Sequence, residues 1–104
     1  CLLTPSHIEA ALEFGSTTLK FFPAKPSGGL AILTSMSRPY AHRGIDFIPL
    51  GGIRESHVES YLKSPLVVAL GGSWICPSAL VENKEWDEVE RRARAAVESA
   101  RRSR

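Results

Sequence analysis

Apolar positions along the chain switch between a helical spacing and short unbroken runs. Ile8, Ala11 and Leu12 share one helical face; Thr4 suits the cap, Pro5 the first helical position, and Gly15 a left-handed stop. Thr18-Leu19-Lys20-Phe21-Phe22-Pro23-Ala24 then reads as a short buried strand, apolar on both sides of one lysine and ended by Pro23. A loop rich in breakers, Pro23 to Gly29, leads to Leu30, Ile32, Leu33 and Met36 at helical spacing, stopped by Ser37-Arg38-Pro39. Ile45 to Leu50 reads as a second strand running straight into Gly51-Gly52. Glu55 to Leu62 is a short helix with Val58 and Leu62 inward, and Leu66 to Leu70 a third strand running into Gly71-Gly72-Ser73. The last element spans Glu85 to Ala100. Trp86, Val89, Ala93, Ala96, Val97 and Ala100 mark its apolar face, and Glu88/Arg92 and Glu90/Arg94 are i,i+4 pairs outside it.

Helices alternating with strands that are apolar on both faces predict parallel βαβ units, an α/β arrangement. Three strands cannot close a barrel, so a sheet of this size is exposed at both edges. The 104 residues suit one small domain or part of a larger one. The chain opens on Cys1 and Leu2-Leu3 rather than methionine, as a chain cut from something longer would.

Composition changes this picture little. A net charge of +2 is too small to argue for nucleic acid, and no apolar run approaches the length of a membrane span. Cys1 and Cys76 form no C-x-x-C or zinc pattern, so two free thiols and a cytoplasmic, reducing setting are expected. His7, His42 and His57 have no metal spacing and suit solvated or capping roles. Asp46 reads as a surface or supporting residue at a strand start. Trp74 and Trp86 read as packing residues. The arginines from Arg91 to Arg104 lack interleaved aromatics and carry balancing glutamates, which favours a solvated helix end over a nucleic-acid site.

Two features carry chemistry. A lysine buried in an apolar strand has its charged form disfavoured, and its amine becomes a nucleophile suited to Schiff-base formation with a ketone. The alternative for Lys20 is a strand-end residue that snorkels to water. The two Gly-Gly pairs stand at matching places after neighbouring strands, where bare backbone N–H groups can approach a phosphate, as loops after the last two strands of a (β/α)₈ barrel often do. Their alternative is a pair of tight βα turns.

Leu19-Lys20-Phe21-Phe22-Pro23-Ala24, Ser27-Gly28-Gly29, Pro49-Leu50-Gly51-Gly52-Ile53 and Gly71-Gly72-Ser73-Trp74 occur in that order. With the opening Thr4-Pro5-Ser6-His7-Ile8-Glu9-Ala10-Ala11-Leu12, they make the chain resemble the 2-keto-3-deoxy-6-phosphogluconate (KDPG) aldolases, a family that includes the 4-hydroxy-2-oxoglutarate aldolases. The likeness runs from Leu3 to about Arg94. It implies a metal-free, cofactor-free class I aldolase of the Entner-Doudoroff pathway on a (β/α)₈ TIM barrel. Residues 1–104 would form the C-terminal half, strands six to eight with their helices, with no second domain. The implied partners are the phosphorylated keto-sugar acid and pyruvate, with a homotrimer for the intact parent and no nucleic acid or membrane. By the same likeness Lys20 is the Schiff-base lysine, and Gly51, Gly52, Gly71, Gly72 and Ser73 bind phosphate. Phe22 lines the pyruvate pocket, and Leu50 replaces a threonine that contacts substrate. Leu50 cannot donate a hydrogen bond, so the gluconate/galactonate preference is not set by that group. His7 replaces a glutamate and removes half of a capping box.

The family's general base and its carboxylate-holding arginine lie on early strands that this chain does not contain, so the fragment alone is expected to be inactive and to expose apolar surface. Two competing readings remain. One is a phosphosugar isomerase or synthase barrel with a non-covalent lysine; the other is a non-catalytic fragment whose basic C-terminal helix binds an acidic partner.

Overall fold

The structure is a computed structural model, and it describes residues 3–103. Cys1, Leu2 and Arg104 lie outside the described residues. Helix α1 (Pro5–Glu13) starts where Thr4 Oγ1 accepts the His7 N–H at 3.3 Å. It stops at Gly15, whose φ of 80° lets Gly15 and Ser16 donate back to Leu12 and Ala11 at 2.9 and 3.0 Å. The capping contact expected to be lost at His7 is moved instead: its Nδ1 accepts the Leu3 N–H at 3.0 Å, one residue earlier than in a capping box. His57 plays a similar part, accepting the Arg54 N–H at 3.1 Å.

Strand β1 (Thr18–Phe21) pairs in parallel with β2 (Asp46–Pro49), with Lys20 opposite Ile48. Between them lie helix α2 (Gly29–Ser37) and a 3₁₀ turn, Arg38–Arg43, whose Tyr40 hydroxyl donates to the Glu9 carboxylate at 2.8 Å. That bond and the Glu9 charge raise the Tyr40 phenol above its ordinary value. After β2, a 3₁₀ turn (Glu55–His57) runs into α3 (Val58–Leu62), which buries Val58, Tyr61 and Leu62.

The third strand is reduced to a single parallel bridge, Phe47 to Val67. Phe47 donates to the Leu66 carbonyl at 2.7 Å and accepts from Val68 at 3.1 Å. The next rung would need the N–H of residue 49, and proline has none. The register then slips, and the Pro49 carbonyl takes the Gly71 N–H at 3.1 Å. Residues 66–71 therefore follow β2 without forming a regular strand.

Only one face of this sheet is covered. Leu19, Phe21, Phe47 and Pro49 point into a core shared with Ile8, Leu33 and Val58 from α1, α2 and α3. Thr18 and Lys20 are exposed on the other side, so the expectation of strands buried on both faces does not hold. Lys20 is correspondingly not a buried residue. The physical reason is that no second layer among the described residues lies over that face. At its foot, Asp46 is half-buried and its Oδ1 is buried without a hydrogen-bond partner among the described residues.

Helix α4 (Ser78–Glu82) is a further short element that the hydrophobic pattern does not announce. Helix α5 (Trp86–Arg102) carries the expected pairs, Glu88–Arg92 at 2.9 Å and Glu90–Arg94 at 2.7 Å. It packs on α3 and α4, yet none of its residues is buried. Trp86 is 55% exposed, so it is not the packing residue that the pattern predicts, whereas Trp74 does pack against the core. A largely apolar groove of about 670 Å³ separates α5 from residues 68–70. Among the described residues, no helix is long and apolar enough to cross a membrane.

Candidate functional site

Parallel strands bring their C-terminal ends to one edge of the sheet, and here three loops meet at that edge. The first leaves β1 through Phe22-Pro23 and runs beside the end of β2: Ala24 donates to the Leu50 carbonyl at 2.7 Å and Lys25 to Gly51 at 3.0 Å. The second is Gly51-Gly52, both with positive φ (99° and 73°). Bare glycine is needed here for close approach. A Cβ on Gly51 would lie 2.9 Å from Pro23 Cα and 3.1 Å from the Phe22 ring, and one on Gly52 2.7 Å from Lys25 Cβ. The third loop lies against the second: a Cβ on Gly72 would lie 2.8 Å from the Ile53 carbonyl oxygen, and one on Gly71 2.7 Å from Leu50 Cδ2.

Lys20 stands on the uncovered face of β1, its Nζ 5.2 Å from the centre of the Phe22 ring. A cation over an aromatic face at an exposed site contributes about 0.5–1 kcal/mol, enough to bias the side chain toward the loop end of the strand. Phe22 is 41% exposed and touches both Lys20 and the Gly51 turn, so the lysine and the first Gly-Gly loop share one wall.

The N–H groups of Gly51, Gly52, Gly72 and Ser73 have no acceptor among the described residues. Gly71 differs, since its N–H is engaged by Pro49, and its visible contribution is space for the Leu50 side chain. Gly52 and Ser73 line one polar cavity of about 510 Å³ together with Ile53, Arg54, Trp74 and Arg92. After Ser73 the chain turns, Cys76 donating to the Ser73 carbonyl at 3.2 Å, and α4 begins at Ser78. Cys76 is a free, exposed thiol.

Helix α5 braces the third loop by a contact that no motif signals. Arg92 donates to the Trp74 carbonyl at 2.8 Å and to Glu88 at 2.9 Å, while Arg91 grips both Glu88 oxygens at 2.6 and 2.7 Å. These bonds hold the Glu88 carboxyl down at about 2. Its carboxylate is lowered on folding, so its contribution is fully present above the ordinary value of 4.5 and is lost as pH falls toward about 2. Arg92→Ala is expected to loosen the Gly72-Ser73-Trp74 loop by about 1 kcal/mol, the bond being half-exposed. The checks are a lower urea midpoint and a red-shifted Trp74 emission in a Trp86→Phe background; an unchanged Trp74 environment contradicts the brace.

The chain is similar to known proteins. The family model "KDPG and KHG aldolase" matches residues 1–92. The chain is 39% identical over 94 residues to a 2-dehydro-3-deoxy-phosphogluconate aldolase of Haemophilus influenzae, covering 90% of this chain and 43% of that one. It is 34% identical to the KHG/KDPG aldolase of Escherichia coli, covering 94% and 45%. In three dimensions it is similar to the KDPG aldolase of Legionella pneumophila, solved with pyruvate captured as a covalent carbinolamine intermediate: TM-score 0.84, 33% identity, 91% of this chain and 45% of that one. The chain thus spans less than half the length of these relatives, and its parallel α/β fold is that of part of a TIM-barrel-like enzyme. From the match over residues 1–92, this chain belongs to the KDPG and KHG aldolase family.

Proposed function

We propose that this chain forms strands six to eight of a class I aldolase barrel that cleaves KDPG to pyruvate and glyceraldehyde 3-phosphate. The observation that carries the reading is the shared wall at Phe22, which sets the Lys20 amine beside the Gly51-Gly52 loop, where the Gly51 and Gly52 N–H groups have no acceptor among the described residues. In this reading the Lys20 amine adds to the C2 ketone and water leaves, giving a protonated imine. The C3–C4 bond then breaks, its electrons flowing into the imine to give an enamine, while the C4 hydroxyl gives up its proton and leaves as the aldehyde. Protonation of the enamine and hydrolysis return pyruvate and the free amine. The loops hold the phosphate at the far end of the substrate, so binding energy there orients C2 over Lys20. 4-Hydroxy-2-oxoglutarate has the same reacting carbons and would give pyruvate and glyoxylate.

The base that accepts the C4 proton belongs to strands absent from this chain, and so does the layer that covers the Lys20 face. The 104 residues alone therefore have little or no turnover. In the same reading the intact protein is a trimer, by family likeness, and sits in the reducing cytoplasm that unpaired cysteines suit.

The test is complementation. Fusing the preceding strands of the Haemophilus influenzae relative to this chain should restore KDPG cleavage in an assay of pyruvate release, and Lys20→Ala in the fusion should abolish it. A folded fusion that turns over equally well with alanine at position 20 would sink the assignment.

A further inference from the structure

The cavity that holds Gly52 and Ser73 contains a cation that the mechanism above leaves unused. Arg54 follows directly on Gly51-Gly52-Ile53, is exposed, and lines the same cavity. Its backbone is fixed, since it is extended (φ −122°, ψ 169°) and its N–H donates to His57 Nδ1 at 3.1 Å. Its guanidinium takes part in no ion pair among the described residues. The other two arginines on this cavity are committed, Arg91 to Glu88 and Arg92 to Glu88 and the Trp74 carbonyl. Glu55 also faces the cavity, and its charge acts on Arg91. Three arginines thus stand against two carboxylates, Glu55 and Glu88. The surplus positive charge falls to Arg54, which has no ion-pair partner among the described residues.

A phosphate monoester is the ligand class that suits this arrangement. It carries close to two negative charges and oxygens that can accept from the open loop N–H groups and, in bidentate fashion, from a guanidinium. An unphosphorylated oxo-acid such as 4-hydroxy-2-oxoglutarate ends instead in a carboxylate, which carries one negative charge, one oxygen fewer, and lies closer to the ketone.

We propose that Arg54 is a specificity-determining residue that makes the site favour substrates ending in a phosphate over unphosphorylated oxo-acids. The proposal rests on the phosphate reading of the Gly-Gly loops given above.

The test is a titration of the ¹⁵N-labelled chain, at a temperature where circular dichroism shows it folded, with glycerol 3-phosphate and separately with glycerol. Wild type should show saturable shifts of the Gly52 and Ser73 amides with the phosphate ester alone. Arg54→Ala should weaken that affinity about tenfold, and Arg54→Lys by less, because it keeps the charge and loses the fork. Arg101→Ala removes the same charge outside this cavity and should leave the affinity unchanged. If the amides shift with equal affinity in wild type and Arg54→Ala, or if Arg101→Ala costs as much, the role of Arg54 is overturned while the phosphate reading stands. If the wild-type amides do not respond, both fall together.

Discussion

Phe47→Ala should abolish the cooperative thermal transition of the chain. Phe47 is fully buried at the centre of β2, and its N–H and carbonyl bond to Leu66 and Val68 beside the sheet. Removing a buried phenylalanine ring costs about 3–5 kcal/mol, through lost burial and the cavity left behind. Small domains have about 5–15 kcal/mol in total, and a sheet covered on one face belongs at the low end of that range. Ile48, its neighbour on the half-buried face, provides the contrast: Ile48→Ala should lower the melting temperature but keep a single transition. Circular dichroism melts of the two variants decide the point. A Phe47→Ala melt within a few degrees of wild type would mean that the core lies elsewhere.

Gly51→Ala should disable the site while leaving most of the fold in place. Its φ of 99° is strained for any residue with a Cβ, at about 1–3 kcal/mol, and the new methyl would meet Pro23 Cα at 2.9 Å. The Phe22 ring, at 3.1 Å from the same methyl, has to move as well, and with it the wall beside Lys20. Glycerol 3-phosphate affinity and covalent pyruvate capture should therefore both fall at least tenfold, since a displacement of about 1 Å is enough to lose that much. Gly15→Ala separates backbone strain from site geometry. Gly15 also has positive φ (80°), but nothing lies within 4 Å of its would-be Cβ. It should cost about 1 kcal/mol and leave capture unchanged. Equal loss of capture in the two variants would show that general destabilisation, not the shape of the Gly51 turn, is responsible.

Local signals in the sequence were enough wherever the cause is local. Thr4, Pro5 and Gly15 bound α1 because caps and left-handed stops depend on the residue itself. The i,i+4 pairs of α5 are present for the same reason. What failed depends on what lies opposite. Unbroken apolar strands suggest cover on both faces, but no second layer lies over this sheet among the described residues, so Lys20 is exposed; α5, in turn, buries no residue. The third strand is shortened by a residue on its neighbour, Pro49, which cannot supply the next rung. Within the site, the two Gly-Gly pairs fall in loops that meet, and the contacts of Gly51 and Gly72 show why alanine does not fit there. The sequence did not distinguish Gly71, whose N–H is already engaged, from Gly72 and Ser73, whose N–H groups have no acceptor among the described residues. Nor did it single out Arg54 or the Arg92–Trp74 bond, because both depend on α5 folding back against the loop edge.

The most direct test of the central assignment is borohydride reduction of the chain in the presence of pyruvate, followed by intact mass measurement and peptide mapping, with circular dichroism to establish folding. The account predicts one reduced pyruvate adduct, on Lys20 and not on Lys25, Lys63 or Lys84. A folded chain left unmodified, or modified on those other lysines to the same extent, would contradict Schiff-base chemistry at Lys20.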